Sequence, residues 1–211
     1  MNNLLYWLEV FGVVVLAISG GFQASIKQLD IVGFLLVAAA AGIGGGTLRD
    51  LLLHDGLVFW VREPLWLWLT SAVAALVYFT APRVERRYAA LLWADALGLA
   101  AFCVVGAQAA LEAGASASVA ILIGTMTATF GGLIRDVACS ETPLILKKEI
   151  YVAAAGAGAA VLVATKALDL PSPVAVAAGV AASFAIRAVA LIFGLSLSTY
   201  STRPRRDYNS R

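Results

Sequence analysis

The stretch GIGGGTLRD, Gly42 to Asp50, lies inside an apolar run that begins near Ile31. Each glycine in a helix interior costs about 1 kcal/mol relative to alanine, and an Arg-Asp pair directly after three of them is expensive in hydrocarbon. A second copy, FGGLIRD, Phe130 to Asp136, lies in another apolar run. Weak helix formers followed by paired charges, twice, in the most hydrophobic parts of a chain need a special interior environment.

Composition sets that environment. Of 211 residues, 61% are hydrophobic and 13% charged, against about 25% charged in a soluble domain, and the mean hydropathy is +0.88. This predicts an all-α integral membrane protein. Cys103 and Cys139 read as small buried hydrophobes. With one histidine and no Cys/His cluster, no metal site is expected. No P-loop, nucleophile triad or other catalytic motif is present, so neither an enzyme nor a cofactor is expected, and nothing points to nucleic acid. The stretch MNNLLYWLEVFGVVVLAISGG lacks a basic leader and carries Glu9, so it reads as a retained span.

Apolar runs of spanning length fall at about 4–23, 30–53, 64–81, 89–111, 117–139, 149–168 and 174–198. All six prolines lie at connections, span starts or the tail. Seven spans put the termini on opposite sides. One side then holds ten cations: Lys27, Arg83, Arg86, Arg87, Lys147, Lys148, Arg203, Arg205, Arg206 and Arg211. The other holds Arg62 and Lys166. This bias predicts an outside N-terminus and a cytoplasmic C-terminus. Trp60, Trp66 and Trp68 near one interface and Trp93 near the other fit aromatic belts. His54 reads as a solvated loop residue.

One offset relates the two motifs. Gly45, Gly46, Arg49 and Asp50 recur 86 residues later as Gly131, Gly132, Arg135 and Asp136, and the same shift carries Glu9 to Asp95, Gly12 to Gly98 and Gly20 to Gly106. Pro64 and Pro143 are offset by 79, so the connection before the third span differs in length. A unit of three spans ends on the side opposite its start, so its second copy must insert upside down. The expected organisation is a first three-helix repeat at 4–81, a second, inverted one at 89–168, a seventh helix at 174–198 and a basic cytoplasmic tail at 199–211.

The glycines leave two readings. Gly44, Gly45 and Gly46 in span 2, with Gly131 and Gly132 in span 5, could unwind or kink their helices, or let helices pack closely. Gly156 and Gly158 read as packing. The charges favour a pathway, with broken backbone lining a wet cavity. Two pseudo-symmetric clusters are expected: Glu9, Arg49 and Asp50 outside; Asp95, Arg135 and Asp136 inside. Each has two acids to one arginine, a mild preference for cations. Between them, freed glycine carbonyls with Ser19, Thr47, Thr125, Thr127 and Thr129 would supply oxygens in place of a cation's water shell. Arg187, mid-span in AASFAIRAVALIF, would line the pathway or lock span 7 to the core. The loop PRVERRY and the tail TRPRRDYNSR are candidates for anionic-lipid contact.

GGGTLRD and FGGLIRD at matched offset, in a three-plus-three-plus-one chain, resemble the prokaryotic branch of the trimeric intracellular cation (TRIC) channel family over about residues 4–198. The resemblance implies a homotrimer in a bacterial or archaeal plasma membrane, with a potassium-permeable pore in each protomer lined by spans 1, 2, 4 and 5. It implies kinks at Gly44–Gly46 and Gly131–Gly132. Phe130, where the first copy has Gly44, departs from a perfect repeat and could act as a gate. No TVGYG filter is present, so strong selection of potassium over sodium is not expected; either ion would permeate. The residues leave open a secondary transporter for a small solute such as glycine, or a membrane scaffold.

Overall fold

The structure is a computed structural model that describes residues 3–53, 56–147 and 150–196. His54, Lys148 and the tail at 199–211 lie outside them. The chain forms α1 (Asn3–Ile26), α2 (Ile31–Leu53), a short α3 (Phe59–Arg62), α4 (Leu65–Thr80), α5 (Arg87–Glu112), α6 (Ala117–Ala138), α7 (Val152–Ala167) and α8 (Ser172–Phe193). Among the described residues, six helical stretches are long and apolar enough to cross a membrane, and α7 is a shorter apolar helix. These seven correspond to the seven spans expected from sequence.

The packing follows the repeat. Helix α1 lies against α2, as α5 lies against α6; α4 covers α1 and α2, as α7 covers α5 and α6. The halves join through α1 on α5 and α2 on α6, whereas α8 packs on α5 and α7 and has no counterpart in the first half. Helix ends repeat too. Gln28 after α1 and Gly114 after α5, 86 residues apart, both take the left-handed conformation, at φ 55° and 80°. Each lets the next N–H bond back across the last turn, Leu29 to the Ala24 carbonyl and Ala115 to that of Ala110.

Burial is that of a membrane bundle. Large apolar side chains such as Leu36, Trp68, Leu76, Phe79, Ile192 and Phe193 are exposed, while Glu9, Asp95, Arg135 and Arg187 are buried. Apolar surface left bare over whole helix faces is where lipid tails sit.

One expectation is corrected. Helices α2 and α6 run unbroken through both glycine motifs, so the glycines do not unwind them and free no carbonyls. Close packing is the reason for these residues. A Cβ on Gly45 would collide with the Thr127 carbonyl oxygen, and one on Gly131 with that of Ala41. The two helices cross backbone to backbone, each glycine seating the other helix's carbonyl, which only residues without a side chain allow.

Candidate functional site: two charge clusters at opposite ends of one core

Both expected clusters form, and their bonding matches almost atom for atom. In the first, Arg49 Nη1 donates to Glu9 Oε1 at 2.7 Å and Arg49 Nε to Asp50 Oδ1 at 2.8 Å. Asp50 Oδ2 accepts the backbone N–H of Phe59 at 2.8 Å. In the second, Arg135 Nη1 donates to Asp95 Oδ1 at 2.6 Å and Arg135 Nε to Asp136 Oδ1 at 2.8 Å. Asp136 Oδ2 accepts the N–H of Leu144 at 3.0 Å. The arginine and aspartate share one helix end, the second acid comes from the neighbouring helix, and the aspartate's other carboxylate oxygen fastens the following connection.

The ends differ in access. The Glu9–Arg49–Asp50 cluster opens into a cavity of about 440 Å³, rimmed also by Glu63, Gln108 and Glu112. The Arg135 cluster touches one of about 60 Å³. Arg135 also donates from Nη1 to Ser19 Oγ of α1 at 2.5 Å, and that hydroxyl donates to the Leu91 carbonyl. The residue one repeat from Ser19 is Val105, which has no polar group to offer Arg49. The narrow end is bridged outside the apolar core by Lys27 with Glu141 at 2.7 Å. The hydrogen bond and charge of Lys27 hold the Glu141 carboxyl below the ordinary carboxylate range.

Other predicted residues are placed differently. The hydroxyls of Thr47, Thr125, Thr127 and Thr129 each donate to the carbonyl four residues earlier in their own helix. Thr127 packs into the notch at Gly106, and Thr47 accepts the Trp60 indole N–H at 2.9 Å. Phe130 is half-buried. Arg187 is buried with its guanidinium 5.3 Å from the centre of the Tyr151 ring, a cation–π contact that joins α8 to the start of α7.

Sequence reasoning missed Gln108 and Glu112, which line the wide cavity and are tied by a 3.0 Å bond from Gln108 Nε2. Their spacing of four residues on one helix face was the available signal. It also missed Phe59 and Tyr151, which stand beside the two arginines. Unequal connections hide that pair from the 86-residue offset.

These features define an inverted-repeat helical membrane protein with a buried, carboxylate-rich cluster at each end of one core. A family model described as glycine transporter matches the chain twice, at residues 6–82 and 92–167, starts 86 residues apart. The inner membrane protein YadS of Escherichia coli K12, of the group called UPF0126, is 35% identical over 94% of this chain and 97% of its own. A UPF0126 membrane protein of Vibrio cholerae is 35% identical over 95% of this chain and 84% of its own. Among solved structures, the TRIC trimeric intracellular cation channel orthologue from Rhodobacter sphaeroides superposes with a TM-score of 0.90 at 45% identity, covering 92% of this chain and all of that one. A prokaryotic TRIC channel gives 0.88 at 27% identity, over 93% and 100%. The chain belongs to the prokaryotic TRIC family, and is a multi-pass protein of the bacterial inner membrane.

Proposed function

We propose that the protein is a cation channel, with a pathway for potassium and similar monovalent ions in each protomer of a homotrimer. The observation that carries this reading is the pair of matched clusters at opposite ends of the α1–α2–α5–α6 core, each with two carboxylates to one guanidinium. An excess of one negative charge at both mouths raises local cation concentration over anion. The structural neighbours are cation channels by name, and one is named trimeric, which supports both parts of the proposal.

On this reading the conformation is a closed one. The carbonyl of Thr127 fills the notch at Gly45 and that of Ala41 the notch at Gly131, which leaves no bore along that contact. Conduction requires α2 and α6 to part there or α1 and α5 to shift beside them. A bend at the glycines during opening is part of the proposal.

A carrier that grips a zwitterion needs a free guanidinium for its carboxylate. At the accessible end each nitrogen of Arg49 already faces a carboxylate, with Nη2 2.8 Å from Asp50 Oδ1. That favours a cation over an amino acid. The test is a planar bilayer containing purified protein under asymmetric potassium chloride. Discrete currents reversing near the potassium potential are expected; silence from folded, inserted protein would overturn the reading, and saturable glycine uptake would replace it.

A further inference from the structure

Gly46 and Gly132, the last glycines of the two motifs, serve a different purpose from Gly45 and Gly131. Each makes room for an aromatic ring. A Cβ at Gly46 would stand 2.7 Å from Phe59 Cε1. At Gly132 it would stand 2.9 Å from Tyr151 Oη, 3.3 Å from Asp95 Oδ1 and 3.6 Å from Arg135 Nη2. Phe59 packs against Arg49, whose guanidinium lies 5.7 Å from the ring centre. Tyr151 lies against the Asp95–Arg135 pair and carries a second guanidinium, Arg187 of α8, at 5.3 Å. The aromatic partners of the two ends therefore differ by one hydroxyl and one added arginine, and the end that has them is the one without a wide cavity.

The hydroxyl stands among complementary atoms. Tyr151 Oη, Asp95 Oδ2 and Arg135 Nη2 are all buried, and none makes a hydrogen bond in this conformation. A carboxylate oxygen accepts, a guanidinium nitrogen donates, and a phenol does both. Rotation of the O–H about the Cζ–Oη bond lets Tyr151 donate to the carboxylate or accept from the guanidinium without solvent. Without the hydroxyl, only water can serve them.

We propose that Tyr151 is the positioning residue of the Arg135 end. Its hydroxyl completes the Asp95–Arg135 pair and excludes water from it. Arg187 holds the ring from outside the repeat, so α8 sets whether this end opens. The proposal rests on reading the two clusters as the ends of one pathway.

The test reads opening without needing ion flow. Cys139 caps α6 three residues past Asp136 and is 7% exposed, whereas Cys103 is fully buried. In purified full-length protein, the rate at which a charged maleimide labels Cys139 reports access to this end. Tyr151→Phe should raise that rate several-fold and raise single-channel open probability with unit conductance unchanged. Arg187→Lys, which keeps the charge and loses the planar face, should act in the same direction. Phe59→Tyr at the other end should leave Cys139 labelling unchanged. Wild-type labelling in Tyr151→Phe overturns the proposal, whether or not the variant melts lower, because a packing role alone moves only the melt. Faster labelling in Tyr151→Phe beside a silent wild type keeps the positioning role and removes the channel. Wild-type currents beside unchanged labelling do the reverse.

Discussion

Asp136 bonds the N–H of Leu144, eight residues on, with the carboxylate oxygen that Arg135 leaves free. One side chain thereby fixes the arginine of a helix end and the start of the next connection. Asp50 does the same for Arg49 and Phe59, but Asp50 is 13% exposed and Asp136 5%.

Removing one partner of a buried ion pair leaves the other uncompensated, so burial decides the cost. Asp136→Asn should destabilise the protein by about 2–3 kcal/mol, and Asp50→Asn by about 1 kcal/mol. Thermal unfolding of the purified variants in one detergent measures both. Equal losses would mean that the two ends are equally dry.

The glycines separate by what they face. Gly131→Ala pushes against the backbone carbonyl of Ala41 and should cost about 1–3 kcal/mol through overpacking. Gly156→Ala meets nothing nearer than Thr125 Oγ1 at 3.6 Å, so it should gain up to about 1 kcal/mol in helix propensity. The sign of the difference between their melting temperatures checks the packing account of the α2–α6 crossing.

Charge at the wide mouth should set ion preference. Glu9→Gln takes that cluster from net −1 to zero, and Arg49→Gln takes it to −2. Under a potassium chloride gradient the first should move the reversal potential away from the potassium value and the second should not. High salt should shrink the contrast, since screening over about 10 Å at 0.1 M falls to about 3 Å at 1 M.

The Lys27–Glu141 bridge gives a pH dependence with a defined sign. Glu141 has its pKa lowered in the folded protein by Lys27. Its contribution is therefore in place above the ordinary carboxylate range and is lost as pH falls through the depressed value. Wild type should melt slightly above Glu141→Gln at pH 7, and the gap should close as pH falls below the ordinary carboxylate range. A gap that grows on acidification would contradict the bridge.

Spans, inversion and both clusters were legible because charge inside an apolar run is rare enough to identify by position. Glu9, Asp95 and the Arg-Asp pairs stand out against valine and alanine, and the offset that relates them needs no gap. The work of the glycines was not legible. A glycine can break a helix or seat a neighbour, and only the carbonyls of Thr127 and Ala41 across the crossing decide. The threonines looked like pathway oxygens because sequence does not show that their hydroxyls bond back to their own helices. Phe59 and Tyr151 were hidden because one follows its motif within α3 and the other waits until the threshold of α7.

Helix α7 has 16 residues, which at 1.5 Å per residue is about 24 Å, less than the roughly 30 Å of a bilayer's hydrocarbon. Before it the chain makes a short 3₁₀ turn, Leu144–Leu146, where Leu144 is buried and its N–H rests on Asp136. Backbone outside a full span survives in hydrocarbon only when shielded by protein, and α5, α6 and α8 flank α7. Beside the Arg135 cluster the protein is a thinned wall. On the channel reading proposed above, an ion approaching from that side meets a carboxylate-anchored connection before a full span.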